Sequence, residues 1–261
     1  MEFDRQKIGK SDLEKYFNSN EKRLIHKWSH YFDIYERHFS RFRNKPIVIL
    51  EIGVFHGGSL QMWKDYFGKK VRIIGVDINP NCTKLEEEQI EIHIGSQTDK
   101  NFLKDLKSRI PKVDILIDDG GHTMSQQKIT YELLFDHVKD DGIYLCEDTH
   151  SSYILEYGGG LKRRGTFIEY SKNFIDQLHA FHSRQTNFNS SKFTESVDSV
   201  HYYDSMVIIE KRQRVAPLDL KSGSESYKST YDQETKSLKR TFLKLINKTL
   251  QKLRLPGFIW K

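Results

Sequence analysis

Two pairs of carboxylates and one histidine carry the strongest chemical signal in this chain. Val113-Asp-Ile-Leu-Ile-Asp118-Asp119-Gly-Gly-His122 closes one apolar run, and Leu145-Cys-Glu147-Asp148-Thr-His150 closes the next. Asp119, Glu147 and Asp148 are three hard oxygen donors, a set that suits Mg2+ and not zinc. Adjacent carboxylates repel one another unless a cation or a proton lies between them. Taken as plain structure, Asp118 or Asp119 would cap a helix and Glu147-Asp148 would mark a surface turn. Two such pairs with a histidine between them favour a metal centre instead. His122 lies three residues beyond Asp119, near such an ion and free to point at a substrate. A histidine ordinarily titrates at about pH 6.5, which suits a general base. The chemistry these groups fit is proton removal from a hydroxyl whose acidity a bound divalent ion has raised.

A second group of residues reads as a ligand cradle. Glu51-Ile-Gly53-Val-Phe-His-Gly57-Gly58 falls where an apolar run ends and a helical pattern begins. Glycines there permit positive φ and let a ligand approach the backbone. The spacing is ExGxxxG, not the GxGxxG that makes room for a pyrophosphate. The next run ends in Gly75-Val-Asp77, a carboxylate placed to accept hydrogen bonds from both hydroxyls of a ribose. Ser96 and Gln97 follow the third run at the height of an adenine edge, and Asp118 joins Glu51, Gly53, Gly57, Asp77, Ser96 and Gln97 as candidate cofactor contacts.

The elements that must position these residues follow from the apolar pattern. Short aliphatic runs at 47–52, 71–76, 90–94, 113–117 and 143–146 are separated by polar segments long enough for helices. That alternation predicts an α/β fold with parallel strands covered on both faces. Two further runs, 199–203 and 206–210, are joined by only about two residues, so they must form an antiparallel hairpin. Upstream, Leu24, Trp28, Tyr31, Tyr35 and Phe39 recur at spacings of three and four, which predicts one or two amphipathic helices within 7–43. The expected organisation is a helical extension over 1–45, the main domain over 46–211, a polar linker over 212–235 and a basic amphipathic helix over 236–261.

In combination these residues resemble class I S-adenosylmethionine-dependent methyltransferases, whose Rossmann-like sheet of five parallel strands ends in such a hairpin. The resemblance spans about 45–211 and implies that Gly53 and Gly57 flank the methionine portion, that Asp77 holds the ribose, and that Ser96 and Gln97 lie near the adenine. Asp118-Asp119-Gly-Gly-His122 followed by Glu147-Asp148, with Ser152-Tyr153 close behind, narrows it. That pair of motifs is similar to the metal-dependent sugar O-methyltransferases of macrolide biosynthesis, the mycinamicin and macrocin group, and to the related cephalosporin hydroxylase and rhamnosyl O-methyltransferase group. The resemblance implies Mg2+ on Asp119, Glu147 and Asp148, His122 as catalytic base, and S-adenosylhomocysteine as a product. The macrolide enzymes carry a sizeable N-terminal auxiliary domain, whereas about 45 residues precede the first strand here, so the acceptor need not be a macrolide. A catechol-type O-methyltransferase and a non-catalytic cofactor-binding module are the rival readings.

Composition sets the remaining bounds. The chain has 261 residues and a formal net charge of +6. Residues 212–261 hold 12 Lys/Arg against 4 Asp/Glu, so the main body is slightly acidic and no nucleic-acid partner is expected. The longest aliphatic run, Ile47 to Leu50, is far short of a membrane span. With no secretory pattern at the start and only Cys82 and Cys146, a cytoplasmic protein is expected. Gly158-Gly159-Gly160 followed by Lys162, Arg163 and Arg164 suggests a mobile loop able to hold an anionic saccharide or nucleotide-sugar acceptor, solvated surface charge being the plainer reading. Histidines 93, 137, 179, 182 and 201 have no partner identifiable by spacing and read as surface or packing residues. The C-terminal helix, with Leu238, Phe242, Leu245, Ile246, Leu250 and Leu253 on one side and lysines interleaved, fits packing against the same chain or a second subunit in a homo-oligomer, the commoner fate of such a stripe, or an anionic membrane surface.

Overall fold

A computed structural model describes residues 11–227 and 238–258. The chain divides into two compact units, Met1–Pro217 and Leu218–Lys261. In the first, α1 (Asp12–Asn18) and α2 (Tyr31–Phe39) precede β1 (Val48–Ile52), α3 (Gly58–Phe67), β2 (Arg72–Asp77), β3 (Ile90–Ile94), α4 (Lys100–Arg109), β4 (Val113–Asp118), α5 (Met124–Leu134) and β5 (Val138–Cys146). Three short helices, α6 (Phe167–Ser171), α7 (Asn173–Leu178) and α8 (Lys192–Ser196), lead into the hairpin of β6 (Val197–Tyr203) and β7 (Met206–Lys211).

The seven strands form one sheet in the order β3-β2-β1-β4-β5-β7-β6. β1 to β5 pair in parallel, and β7 is antiparallel to both β5 and β6. The expected five parallel strands and closing hairpin are therefore present, with β5 beginning five residues earlier than its apolar run. Strand residues alternate between two cores. Ile49, Ile73, Ile117 and Leu145 pack with α1, α2 and α3 residues such as Leu13, Tyr35 and Trp63. Leu50, Ile74, Leu116 and Tyr144 pack on the other face with Leu103, Tyr131 and Phe174 from α4, α5 and α7. This period of two is why the strands read as unbroken apolar runs, since both of their faces are covered.

The N-terminal segment forms two helices as expected, α1 with Leu13 buried and α2, but the stripe read from Leu24 onward holds only on α2. Tyr31, Tyr35 and Phe39 are buried on α2, whereas Leu24 and Trp28 precede that helix and are exposed. At the other end the chain leaves β7 at Lys211, yet Arg212 N donates to Ser196 O and Arg214 N to Glu195 O, so the start of the expected linker is pinned to the domain. The second unit contains α9 (Leu238–Lys252), on which Phe242 and Leu245 are exposed, as is Leu253 just beyond it. The expected helix start before Leu238, and the terminal Ile259 and Trp260, lie outside the described residues.

Candidate active site

Sheet register places the candidate residues. Ile52 pairs with Val76 on one side and with Asp118 on the other, and Asp118 pairs with Cys146. One residue further along each strand, Asp77, Gly53, Asp119 and Glu147 therefore stand abreast at the carboxyl edge, where open α/β sheets bind ligands. Backbone bonds continue the ladder into this row: Gly53 N donates to Val76 O at 2.8 Å, Asp119 N to Ile52 O at 2.9 Å and Glu147 N to Asp118 O at 2.9 Å.

The row borders a cavity of about 400 Å³. Gly53, Asp77, Ser96, Gln97, Asp119, His122 and Asp148 line it, together with Leu24 to Lys27 from the segment before α2. Gly53 adopts φ +99°, and a Cβ there would stand 2.1 Å from the carbonyl oxygen of Asp119, so the β1–α3 turn and the acidic edge can approach only through glycine. Gly57, at φ +72°, starts α3 behind that turn and does not itself line the cavity. Asp77 ties the turn down: its Oδ2 accepts from Val54 N and Phe55 N at 2.9 and 3.0 Å, and its Oδ1 accepts from Asn79 N at 2.8 Å.

Besides Gly57, two more of the candidate cofactor contacts, Asp118 and Glu51, fall outside the cavity lining. Asp118 precedes Asp119 by one strand residue, so its side chain lies on the opposite sheet face and is fully buried. Its Oδ1 accepts from Gln97 Nε2 at 3.0 Å, its Oδ2 has no hydrogen-bond partner among the described residues, and burial pushes its carboxyl up to about 7. Glu51 shares the face of Gly53 but is sealed under α3, accepting from Ser59 Oγ and from Trp63 Nε1, each at 2.5 Å. Burial pushes it, too, up to about 7. Both are corrected from ligand contacts to internal braces. Gln97 lines the cavity, yet its amide is committed to Asp118, Thr130 and, through Oε1, Gly121 N, so it fixes the loop that carries His122. Ser96 pairs with Thr98 Oγ1 at 2.9 Å on the cavity wall. The cap of α5 is neither Asp118 nor Asp119 but Thr123, which closes a capping box with Gln126.

The acidic cluster is more elaborate than spacing suggests. Donor atoms of Asp119, His122 and Asp148 lie within 4.8 Å of one another, and the three side chains are partly open to the cavity. His122 and Asp148 both have positive φ, 56° and 51°, and His122 Nε2 lies 3.5 Å from Asp148 Oδ2. Glu147 is buried behind them. Its Oε1 accepts from Tyr35 at 2.6 Å and its Oε2 from Lys27 Nζ at 2.8 Å, while Lys27 also reaches Asp119 Oδ2 at 2.5 Å. Tyr31 donates to Asp148 Oδ1 at 2.7 Å. Burial and the neighbouring Asp119 hold the Glu147 carboxyl well above its ordinary range, a rise that Lys27 and Tyr35 only partly offset. The two carboxylates hold the Lys27 proton firmly against the burial that would strip it. Lys27, Tyr31 and Tyr35 were missed in the sequence as site residues. Their spacing of four was visible but reads equally as a packing stripe.

His201 also has partners that spacing did not reveal: its ring lies 4.7 Å from that of His38, which bonds Glu210 Oε1 at 2.6 Å and Tyr203 at 2.9 Å. This network clamps α2 to the β6–β7 hairpin and thereby steadies Tyr31 and Tyr35. His137 is a packing residue as expected, bonded to Pro111 O.

Residues 50–149, which span the whole of this edge from β1 to the end of β5, match the family model described as a methyltransferase domain. The chain carries a methyltransferase domain. The likeness to sugar O-methyltransferases seen in the motifs holds for this domain and its surroundings. A tetracenomycin rhamnosyl 3'-O-methyltransferase of Streptomyces olivaceus is 34% identical over 195 residues, covering 70% of this chain and 50% of its own length. Demethylmacrocin O-methyltransferase of Streptomyces fradiae is 33% identical, covering 72% and 51%. Mycinamicin VI 2''-O-methyltransferase of Micromonospora griseorubida is 32% identical, covering 68% and 47%. The chain thus spans about half the length of the curated relatives it matches. Among solved structures, the MycE methyltransferase of the mycinamycin pathway, in complex with Mg and SAH, superposes with a TM-score of 0.67 at 29% identity, over 78% of this chain and 54% of that one. Its likeness extends the methyltransferase-domain assignment to the Rossmann-like sheet as a whole.

Proposed function

We propose that this protein is a divalent-metal-dependent O-methyltransferase that moves a methyl group from S-adenosylmethionine to a saccharide hydroxyl. The observation that carries this reading is the meeting of Asp119, His122 and Asp148 at the wall of a cavity bounded by the Gly53 turn and Asp77. The relatives support the acceptor class, since one named above is a 3'-O-methyltransferase of a rhamnosyl tetracenomycin and another a 2''-O-methyltransferase of mycinamicin VI.

The donor set fits a hard cation. Asp119 and Asp148 offer oxygens beside an imidazole, and a third carboxylate lies directly behind. A divalent ion bound there supplies Lewis-acid activation of the acceptor oxygen, and the sulfonium cofactor supplies an already activated methyl group. The chain's own residues do the rest. Gly53 and the Asp77-braced turn shape the floor for the methionine portion, and Asp77 stands where ribose hydroxyls would meet it. His122, 21% exposed, is placed to accept the acceptor's proton, and Asp148 stabilises the imidazolium that results. The loop 120–122, held by Gln97, keeps that imidazole in reach.

The acceptor belongs, in this reading, to a surface polysaccharide or glycosylated metabolite made in the cytoplasm or at the inner face of a membrane. Lys162, Arg163 and Arg164 are exposed on the loop beyond β5 and suit an anionic saccharide or nucleotide sugar. Titration calorimetry with S-adenosylhomocysteine tests the cofactor half. Incubation with a panel of glycans and nucleotide sugars, with and without Mg2+, tests the acceptor half. Cofactor binding without transfer to any saccharide would remove the sugar reading, and no cofactor binding would remove the enzyme reading.

A further inference from the structure

Two large aromatic side chains stand uncovered beside His122 and Asp148, outside the cavity lining. Trp28 is 53% exposed and Tyr157 37% exposed, and neither lines the cavity that Gly53 and Asp77 border. The Tyr157 ring centroid lies 6.4 Å from that of His122, with the two planes inclined at 61°. The Trp28 ring meets His150 edge-on at 5.7 Å, and His150 Nδ1 stands 4.0 Å from Asp148 Oδ1. One ring therefore borders each member of a pair that is itself 3.5 Å apart.

Local structure holds both rings. Trp28 follows Lys27, which is anchored on Asp119 and Glu147, and Trp28 O accepts from Tyr31 N at the start of α2. Tyr157 sits beside the glycine run expected to form a mobile loop, yet Gly158 N donates to Leu155 O at 2.9 Å, Gly159 N to Ile154 O at 2.9 Å and Gly160 N to Ser152 O at 2.8 Å. The segment is a bonded turn that fixes its tyrosine. Single exposed apolar residues are ordinary, but two braced rings at one candidate reacting pair point to a ligand.

Resting on the sugar O-methyltransferase reading, we infer that Trp28 and Tyr157 are acceptor-binding residues that stack on the C–H face of the saccharide ring whose hydroxyl meets His122. A saccharide is polar around its rim and apolar across its C–H face, and the face of an aromatic ring attracts the partial positive charge of C–H groups. The hydroxyl must come within hydrogen-bond reach of the imidazole, so the rest of the sugar ring extends toward the neighbouring phenol. Imidazole lone pairs lie in the ring plane, and the 61° tilt lets a sugar lying on Tyr157 meet that edge. The cofactor takes the cavity and the acceptor takes the aromatic side, so both are bound at once.

Fluorescence and kinetics test this on the full chain. In a Trp260→Phe background the remaining reporters are Trp28 and the buried Trp63. The probes are methyl α-L-rhamnopyranoside, UDP-glucose and the panel saccharide methylated fastest, each added with Mg2+ and S-adenosylhomocysteine. At least one should shield Trp28 from acrylamide quenching, and Tyr157→Ala should raise the concentration needed by roughly fivefold or more. With the fastest acceptor, Trp28→Ala and Tyr157→Ala should each raise KM by roughly fivefold or more, with kcat held within roughly twofold. Trp28→Phe and Tyr157→Phe keep a ring and should stay within roughly threefold of wild type. Should an alanine variant fold poorly, Trp28→Leu or Tyr157→Leu, which keep bulk without the ring, must show the same rise in KM. Shielding by none of the probes, an unchanged KM in the ring-less variants, or weaker S-adenosylhomocysteine binding in them would overturn the inference while the methyltransferase reading stands. A wild-type chain that methylates no saccharide of the panel would instead remove the sugar reading and this inference with it.

Discussion

The phenolic hydroxyl of Tyr35 donates to Glu147 Oε1 at 2.6 Å, joining two fully buried groups 112 residues apart. The catalytic edge of the sheet is therefore buttressed from the N-terminal helix. Tyr35→Phe leaves a buried carboxylate oxygen without its partner, a loss expected to cost about 1–3 kcal/mol. Tyr31→Phe should cost less, because its partner Asp148 is 25% exposed and water can replace the hydroxyl. Urea denaturation of the two variants checks the order; equal losses, or a greater one for Tyr31→Phe, would contradict it.

His122→Ala should lower saccharide methylation by roughly a hundredfold or more, the usual worth of a positioned general base. Cofactor affinity should change little, because the loop is held by Gln97 through the backbone of Gly121 and not by the imidazole. A variant with nearly full activity would favour the phenolic acceptor of a catechol-type enzyme, whose hydroxyl gives up its proton more readily.

Asp119→Asn and Asp148→Asn should each abolish measurable Mg2+ binding and turnover, since each removes a charged donor that faces the cavity. Ca2+ or Mn2+ binding by wild type is compatible with the site, as oxygen ligands discriminate little among these ions. Activity that survives EDTA would refute the metal requirement.

Glu51 gives a pH signature. Burial raises its folded-state pKa from 4.5 to about 7, so between those values the folded chain keeps a proton that the unfolded chain releases. Stability must then fall as pH rises through that window, and the reduction persists above it. At about 1.4 kcal/mol per unit the total is about 3 kcal/mol, an upper bound given the bonds from Ser59 and Trp63. Glu51→Gln should gain on wild type from about pH 4.5 to 7 and hold a constant lead beyond. A gap in melting temperature that does not change with pH would show that Glu51 titrates normally.

The C-terminal helix offers a test at membranes. α9 carries exposed Phe242 and Leu245 together with exposed Lys244, Lys248 and Lys252, and Leu253 and Phe258 beyond it are exposed as well. Each basic residue near an anionic surface is worth about 1 kcal/mol. The full chain is expected to pellet with anionic vesicles at low salt and a chain ending at Lys211 is not. Equal sedimentation of the two would leave the helix as a contact between copies or a packing element of the same chain.

The sheet and its edge were legible because strands buried on both faces leave unbroken aliphatic runs, and because acids placed just after such runs must emerge at the carboxyl edge. Asp119, His122 and Asp148 were found in this way. Asp118 falls away from the cavity although its neighbour Asp119 lines it, because alternation along a strand sends only one member of an adjacent pair to each face. Glu51 was misread because the motif does not show that Trp63 and Ser59 cover it from α3. Lys27, Tyr31 and Tyr35 left no local trace of their role. A bond across more than a hundred residues exists only once α2 has docked, and a stripe that packs is spaced like a stripe that also donates hydrogen bonds.

His122 and Asp148 share one further property, their left-handed backbone. A side chain at such a position carries a conformational penalty of order 1 kcal/mol or more, which glycine escapes. Selection of variants for heat resistance alone would therefore reward glycine at the two positions where the proposed chemistry needs an imidazole and a carboxylate. Laboratory evolution without an activity screen would drift toward a sturdier, inert fold, and thermostabilising libraries for this protein should hold both positions fixed.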